Sequence, residues 1–235
     1  MLRNELKNPP KKYRPAPFWS WNEKLDPAET VRQIELMDEA GLGGFFMHAR
    51  GGLQTEYLSE EWFANVKASI DRAKETDMWA WGYDENGWPS GFGSGAVNGL
   101  GLKYQQKYLR CEITEEAKIT EHTIGNVPVG GKNYHLYFDV NPFYVDTLDK
   151  EVIAEFLKST YDKYTDRFGH GVGGMKGFFT DEPQVSRKGL PWSFVLEKEY
   201  MATYHEALLP LLPAMFADLP GYQQVRYRFW KLVCD

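Results

Sequence analysis

Gly177-Phe178-Phe179-Thr180-Asp181-Glu182-Pro183 is the stretch on which the fold of this chain turns. A short apolar run bounded by glycine stops at two adjacent carboxylates and a proline. That is the pattern of a buried strand delivering Asp181 and Glu182 to one end of a sheet. Two earlier stretches have the same form: Gly43-Gly44-Phe45-Phe46-Met47-His48-Ala49-Arg50 and Met78-Trp79-Ala80-Trp81-Gly82-Tyr83-Asp84-Glu85. In each, an apolar run ends in groups that carry charge or move protons. Three such strands predict a parallel sheet with a site at the carboxyl ends of its strands.

The segments between these strands read as helices. Phe18-Trp19-Ser20-Trp21-Asn22 predicts a first aromatic strand ended by Asn22. Asp26 then serves as an N-cap, Pro27 takes the first helical position and Glu29 completes a box-like D-x-x-E. Val31, Ile34, Met37 and Ala40 recur at helical spacing until Gly41. Ser59 caps a second helix, with Glu60 and Glu61 in its first turn and Trp62, Phe63, Val66 and Ile70 as its buried stripe. The third strand is expected over residues 78–83, with a glycine-rich loop over 84–95. Residues 103–140 show no helical period. There, 108–113 and 134–138 predict antiparallel strands separated by Gly125, Gly130 and Gly131. Asp149 caps a helix marked by Val152, Ile153, Phe156, Leu157, Thr160 and Tyr164. A loop around 189–191 and helical stretches over 193–209 and 223–234 complete the pattern, and the Lys- and Pro-rich residues 1–16 predict a surface segment.

The order of elements predicts an α/β fold of (β/α) TIM-barrel type, read as a single domain over 1–235 with a β-rich insertion at 103–140 after the third strand. Such barrels have eight strands in about 250 residues. Here four core strands use up about 180 residues, so the expectation is a partial barrel of about half. Its open edge and apolar face need a cover, and self-association as a homo-oligomer would supply one.

Composition narrows the partners. The chain has 235 residues, 43% hydrophobic and 26% charged, as in ordinary globular proteins. Its formal net charge of −6 argues against nucleic acid and anionic membranes. Eight Trp and fourteen Tyr suit a core and equally suit surfaces that stack on sugars. Two cysteines, Cys111 and Cys234, exclude a disulfide framework and leave one bridge open. No apolar run approaches the roughly 20 residues of a bilayer span. Residues 1–10 are polar and lack an apolar signal core, which places the chain in the cytoplasm by default.

Paired carboxylates at strand ends point to glycoside hydrolysis, which needs two carboxyl groups about 5–9.5 Å apart. Neighbouring strands lie about 4.8 Å apart, so Glu182 and Glu85 fit as a catalytic pair. Pro183 and the apolar run before it are expected to keep Glu182 partly dry, favouring an acid role. Asn22, His48, Arg50, Tyr83, Asp84, Trp88 and Asp181 are the candidate substrate-binding residues, with Trp88 and Tyr83 as a sugar platform. Taken singly, each has a plainer explanation. An Asp-Glu pair after a strand is often a cap or turn, His48 a hydrogen-bonded strand end, Arg50 a salt-bridge partner. Convergence of four strand ends favours the site. The glycine-rich loop lacks the lysine and the G-x-G-x-x-G order of a phosphate binder. No metal-ligand spacing is present, so no cofactor is expected, although calcium can be held by Asp, Glu and backbone oxygens without a motif.

Four ordered motifs carry a resemblance. They are Pro17-Phe18-Trp19-Ser20-Trp21-Asn22, the run from Gly43 to Gly52, Tyr83-Asp84-Glu85-Asn86-Gly87-Trp88-Pro89-Ser90-Gly91, and Phe179-Thr180-Asp181-Glu182-Pro183. Together they resemble the amino-terminal half of the glycoside hydrolase family 106 group, which includes α-L-rhamnosidases. The resemblance covers most of the chain and is weakest over 103–140. It implies a (β/α)₈ catalytic barrel, a carbohydrate substrate, an inverting mechanism in the rhamnosidases and calcium in some members. It also implies an acid at the end of the fourth strand, where Glu182 stands, and a partner on a later strand that this sequence does not contain. The alternative is a catalytically inactive half-barrel that binds carbohydrate or self-associates.

Overall fold

A computed structural model of the chain describes residues 6–235. Residues 1–5, part of the expected surface segment and of the polar start, lie outside that range. The fold is mixed α/β with two four-stranded sheets. Its described residues divide into two compact units, those up to Ala96 with Ala154–Pro183, and Val97–Ile153 with Gln184–Asp235.

The first unit is built on a parallel sheet of β1 (Phe18–Trp21), β2 (Gly44–Ala49), β3 (Trp79–Asn86) and β7 (Phe178–Phe179), in the order β1-β2-β3-β7. Two helices, α1 (Pro27–Glu39) and α2 (Glu60–Glu75), start where the sequence predicts. The Asp26 carboxylate accepts from the amides of Ala28 and Glu29, and the Ser59 hydroxyl accepts from that of Trp62. Strand side chains alternate between faces. Trp21, Phe45, Met47, Ala49 and Ala80 pack with Ile34 of α1 and with Trp62, Phe63, Val66 and Ile70 of α2. Each large side chain removed from water there contributes about 1.5–3 kcal/mol. The alternate residues form a ring cluster. Phe18 packs on Phe179 at 4.9 Å between centroids, and Phe46 stacks on Trp81 at 5.5 Å.

The helix predicted through Tyr164 is broken. It is α3 (Lys150–Ser159) and α4 (Tyr161–Phe168), parted at Thr160, whose φ of −124° leaves the helical region. Asp149 caps α3 through the Glu151 amide, as expected.

The second unit carries an antiparallel sheet in the order β5-β6-β4-β8. Its strands are β4 (Gln105–Thr114), β5 (Thr123–Val129), β6 (Lys132–Val145) and β8 (Leu190–Trp192). Gly130 and Gly131 turn β5 into β6 with φ of +58° and +78°, a two-residue hairpin that glycine makes without strain. The sheet reaches beyond the predicted stretch because Leu190 pairs with Leu109 across β4 and β8, in a segment expected to be a loop. Leu109, Leu136, Phe138 and Trp192 pack with Leu196 and Tyr200 of α5 (Leu196–Tyr204) and Phe229 of α6 (Tyr222–Cys234). Lys107 and Asp146 form a buried ion pair with Nζ 3.2 Å from Oδ2. Cys111 and Cys234 are both free thiols, so the bridge left open by the sequence is not formed. No helix among the described residues is long and apolar enough to cross a membrane.

Candidate functional site

The carboxyl end of the parallel sheet is shaped by an irregularity in β3. Met47 pairs with Gly82 and Ala49 with Asn86, so two steps along β2 match four along β3. Three residues, Tyr83, Asp84 and Glu85, thus stand opposite His48 alone, an excess of two, and each is 1% exposed. The irregularity turns three consecutive side chains inward, where a regular strand would alternate them.

Each of the three has its own set of partners. The Glu85 carboxylate accepts four backbone N–H groups from the loop that follows it. Oε1 takes Asn86 at 2.8 Å and Ser94 at 3.4 Å. Oε2 takes Gly91 at 3.0 Å and Gly93 at 2.7 Å. Burial pushes this carboxyl above its usual range, and the amides pull it back. Asp84 is held by hydroxyls: Ser90 donates to Oδ1 at 2.5 Å, and Tyr161 and Thr180 donate to Oδ2 at 2.7 and 2.8 Å. The Tyr83 hydroxyl donates to Asp181 Oδ2 at 2.8 Å. Burial first, and that carboxylate next, raise its phenol far above the ordinary range.

His48, at the end of β2, is 5% exposed and stacks on Tyr83 with ring centroids 3.5 Å apart. Its Nε2 lies 3.2 Å from the Gly87 carbonyl oxygen. A carbonyl only accepts, so Nε2 carries the proton. Burial lowers its pKa, chiefly by penalising the imidazolium. Burial thus favours the neutral ring, which lies stacked on Tyr83.

Ser90 ties the loop to the end of β7. Its hydroxyl accepts from the Asp181 amide at 2.9 Å, and its own amide donates to the Asp181 carbonyl at 2.9 Å. The next residue, Glu182, is exposed, with a left-handed φ of +46°. The expectation that Pro183 keeps Glu182 partly dry is not met, because the side chain projects into solvent. A left-handed conformation is strained for a residue with a Cβ and persists only where neighbours impose it.

The remaining candidates lie around this centre. Arg50 is exposed, and its guanidinium makes no ion pair among the described residues. It lies near enough to act electrostatically on both His48 and Tyr83. Asn22 is exposed at the end of β1, and Trp88 at the tip of the loop is 42% exposed. The structure thus brings His48, Tyr83, Asp84 and Asp181 into one hydrogen-bonded and stacked cluster, with Glu182 adjoining through the chain. Three hydroxyl donors were not singled out in the sequence: Ser90, Thr180 and Tyr161. Thr180 had a signal, being next to Asp181. Tyr161 had none, since its role depends on where α4 begins.

Among the described residues, no group of three or more His, Cys, Asp or Glu is placed to hold a metal. The Asp84 and Glu85 carboxylates do not fit calcium as they stand. Calcium takes 6–8 oxygen ligands, whereas the Asp84 and Glu85 oxygens are committed to seven donors of the chain.

Neither a protein-family model nor a curated protein matches this chain. Among solved structures, a rhamnosidase from Novosphingobium sp. PP1Y is similar to it at 20% identity and a TM-score of 0.40, over 55% of this chain. The chain spans 13% of that protein's length. At that score the superposition establishes neither a common fold nor a common activity.

Proposed function

We propose that this chain is glycoside hydrolase-like, of α-L-rhamnosidase type, with a carbohydrate site at the carboxyl ends of β1, β2, β3 and β7. In this proposal the parallel sheet is about half of a (β/α)₈ barrel, and the antiparallel strands are an insertion into it. One observation carries it. Residues from β2, β3 and the end of β7 converge on a single cluster of Tyr83, His48, Asp84 and Asp181, beside an exposed carboxylate and an exposed arginine. Substrate sites of parallel α/β sheets occupy that end.

Within this proposal Glu182 is the general acid, reaching a glycosidic oxygen from the solvent side. Asp181 and Arg50 hold sugar hydroxyls, and Trp88 offers a ring for stacking. Glu85, expected from the sequence as the second catalytic carboxylate, acts on the loop, since all four of its contacts are backbone amides. That same saturation favours a second reading, a carbohydrate-binding protein without turnover. The parallel sheet has β1 and β7 as its edges, and pairing of two copies is part of the proposal.

Aryl α-L-rhamnosides and other aryl glycosides, tested on the native chain and on Glu182→Gln, separate the readings. Hydrolysis lost in the variant supports the acid assignment. Hydrolysis that survives it removes Glu182 from that role. Sugar binding without hydrolysis in either protein moves the function to the second reading. Light scattering reports the pairing, and a monomeric mass argues against it.

A further inference from the structure

Buried charge and loop geometry meet at one residue. Glu85 is 1% exposed and has no cationic partner among the described residues. Among the described residues its polar contacts are four backbone N–H groups of residues 86–94. A buried carboxylate held this way fixes the path of the backbone that supplies the donors. Position 93 has φ of +55° and position 94 has φ of +52°, so the loop curls to aim its amides inward.

The curl has an effect at the neighbouring strand. It sets Ser90 between β3 and the end of β7, bonded to Asp84 on one side and twice to Asp181 on the other. Those two bonds grip both the amide and the carbonyl of Asp181. The strained Glu182 follows directly.

We infer that Glu85 is a positioning residue: its carboxylate holds the 86–94 loop, and through Ser90 that loop sets the turn that presents Glu182. The chain of contacts is Glu85 to Gly91 and Gly93, Ser90 to Asp181, then Glu182. The effect on turnover rests on the hydrolase reading above, but the mechanical claim does not.

Replacing Glu85 by glutamine keeps the shape and turns one acceptor oxygen into a donor that faces backbone N–H groups. Amide hydrogen exchange, resolved by NMR, reads the result at each link. In Glu85→Gln, the amides of Gly91, Gly93 and Asp181 are expected to exchange at least about tenfold faster, while those of β2 keep their rates. Faster exchange at Gly91 and Gly93 with an unchanged Asp181 amide overturns the inference. So does no change at any of the three. Ser90→Ala removes the hydroxyl's bonds to the Asp181 amide and to Asp84 and keeps the backbone bond to the Asp181 carbonyl, and it serves equally if the glutamine variant does not fold. It should free the Asp181 amide and leave Gly91 and Gly93 protected; protection lost at all three, or at none, overturns the inference. Where the native chain hydrolyses a glycoside, Glu85→Gln lowers kcat with KM kept within about twofold, and Glu85→Asp restores part of it. A KM effect alone contradicts positioning. If the native chain hydrolyses nothing, the hydrolase reading falls, and the exchange rates still decide whether Glu85 positions the turn.

Discussion

Each unit of this protein buries charge, and the two do so in opposite ways. In the second unit Lys107, with 0% side-chain exposure, faces Asp146 at 4%. The Lys107 ammonium also donates to the Gln105 carbonyl at 2.6 Å and lies over the Phe194 ring at 4.5 Å. Burial lowers the ammonium pKa and raises the carboxyl pKa, both toward neutrality, while their mutual attraction opposes it. In the first unit Asp84 and Glu85 have no cationic partner among the described residues. Hydroxyls hold one, and the amides of a single loop hold the other. A side-chain pair can be exchanged for another pair. A carboxylate bound to backbone amides cannot, because substituting a residue does not change its backbone N–H. The ion pair joins β4 to the residue that follows β6, whereas the amide-bound carboxylate shapes a loop beside an exposed acid.

That contrast can be broken by mutation. The largest effect is expected for Lys107→Met, which leaves Asp146 buried without its cation and costs about 3–5 kcal/mol in urea unfolding. Adding Asp146→Leu should recover most of that loss. No recovery would show that Lys107 acts through its carbonyl contacts. Glu85→Gln is expected to cost about 2–3 kcal/mol, and no second side-chain change should recover it. A compensating substitution at any neighbour would erase the contrast. Tyr83→Phe removes one hydroxyl from the Asp181 carboxylate and should cost about 1 kcal/mol. Arg50→Gln is exposed and should lie within about 0.5 kcal/mol of native, so that any change it makes in sugar affinity reports contact with ligand.

His48 gives the pH dependence. Its folded pKa is lowered below the ordinary 6.5 by burial. Its contribution is thus present above pH 6.5 and lost as pH falls through the folded value. Unfolding free energy of the native chain should decline on acidification below pH 6.5, and His48→Asn should flatten that decline. Glu85 runs the other way. Its raised carboxyl pKa favours folding below about 4.5 and loses that contribution as pH rises through the folded value.

Much of this layout is legible in the residues. Asp26 and Ser59 announce α1 and α2 through capping chemistry that needs only local geometry. The strand ends at His48, Tyr83 and Asp181 show because apolar runs stop there. What does not show depends on contacts distant in sequence. β8 exists only because β4 offers Leu109 to Leu190, and nothing in Leu190-Pro191-Trp192 alone calls for a strand. The break at Thr160 is invisible in a sequence whose apolar spacing continues across it. Glu85 and Glu182 look alike as strand-end acids. Their difference comes from the irregularity in β3, which buries the first, and from the left-handed turn, which exposes the second. No residue type marks such an irregularity, so the sequence reading paired Glu85 with Glu182 as catalytic carboxylates.

The central claim is that the strand ends form a glycosidase-like site with Glu182 as its acid. Steady-state hydrolysis of aryl α-L-rhamnosides by the native chain and by Glu182→Gln tests it most directly. The prediction is turnover by the native chain and a fall of about 10²–10⁴ in the variant. Equal rates in the two proteins would contradict it.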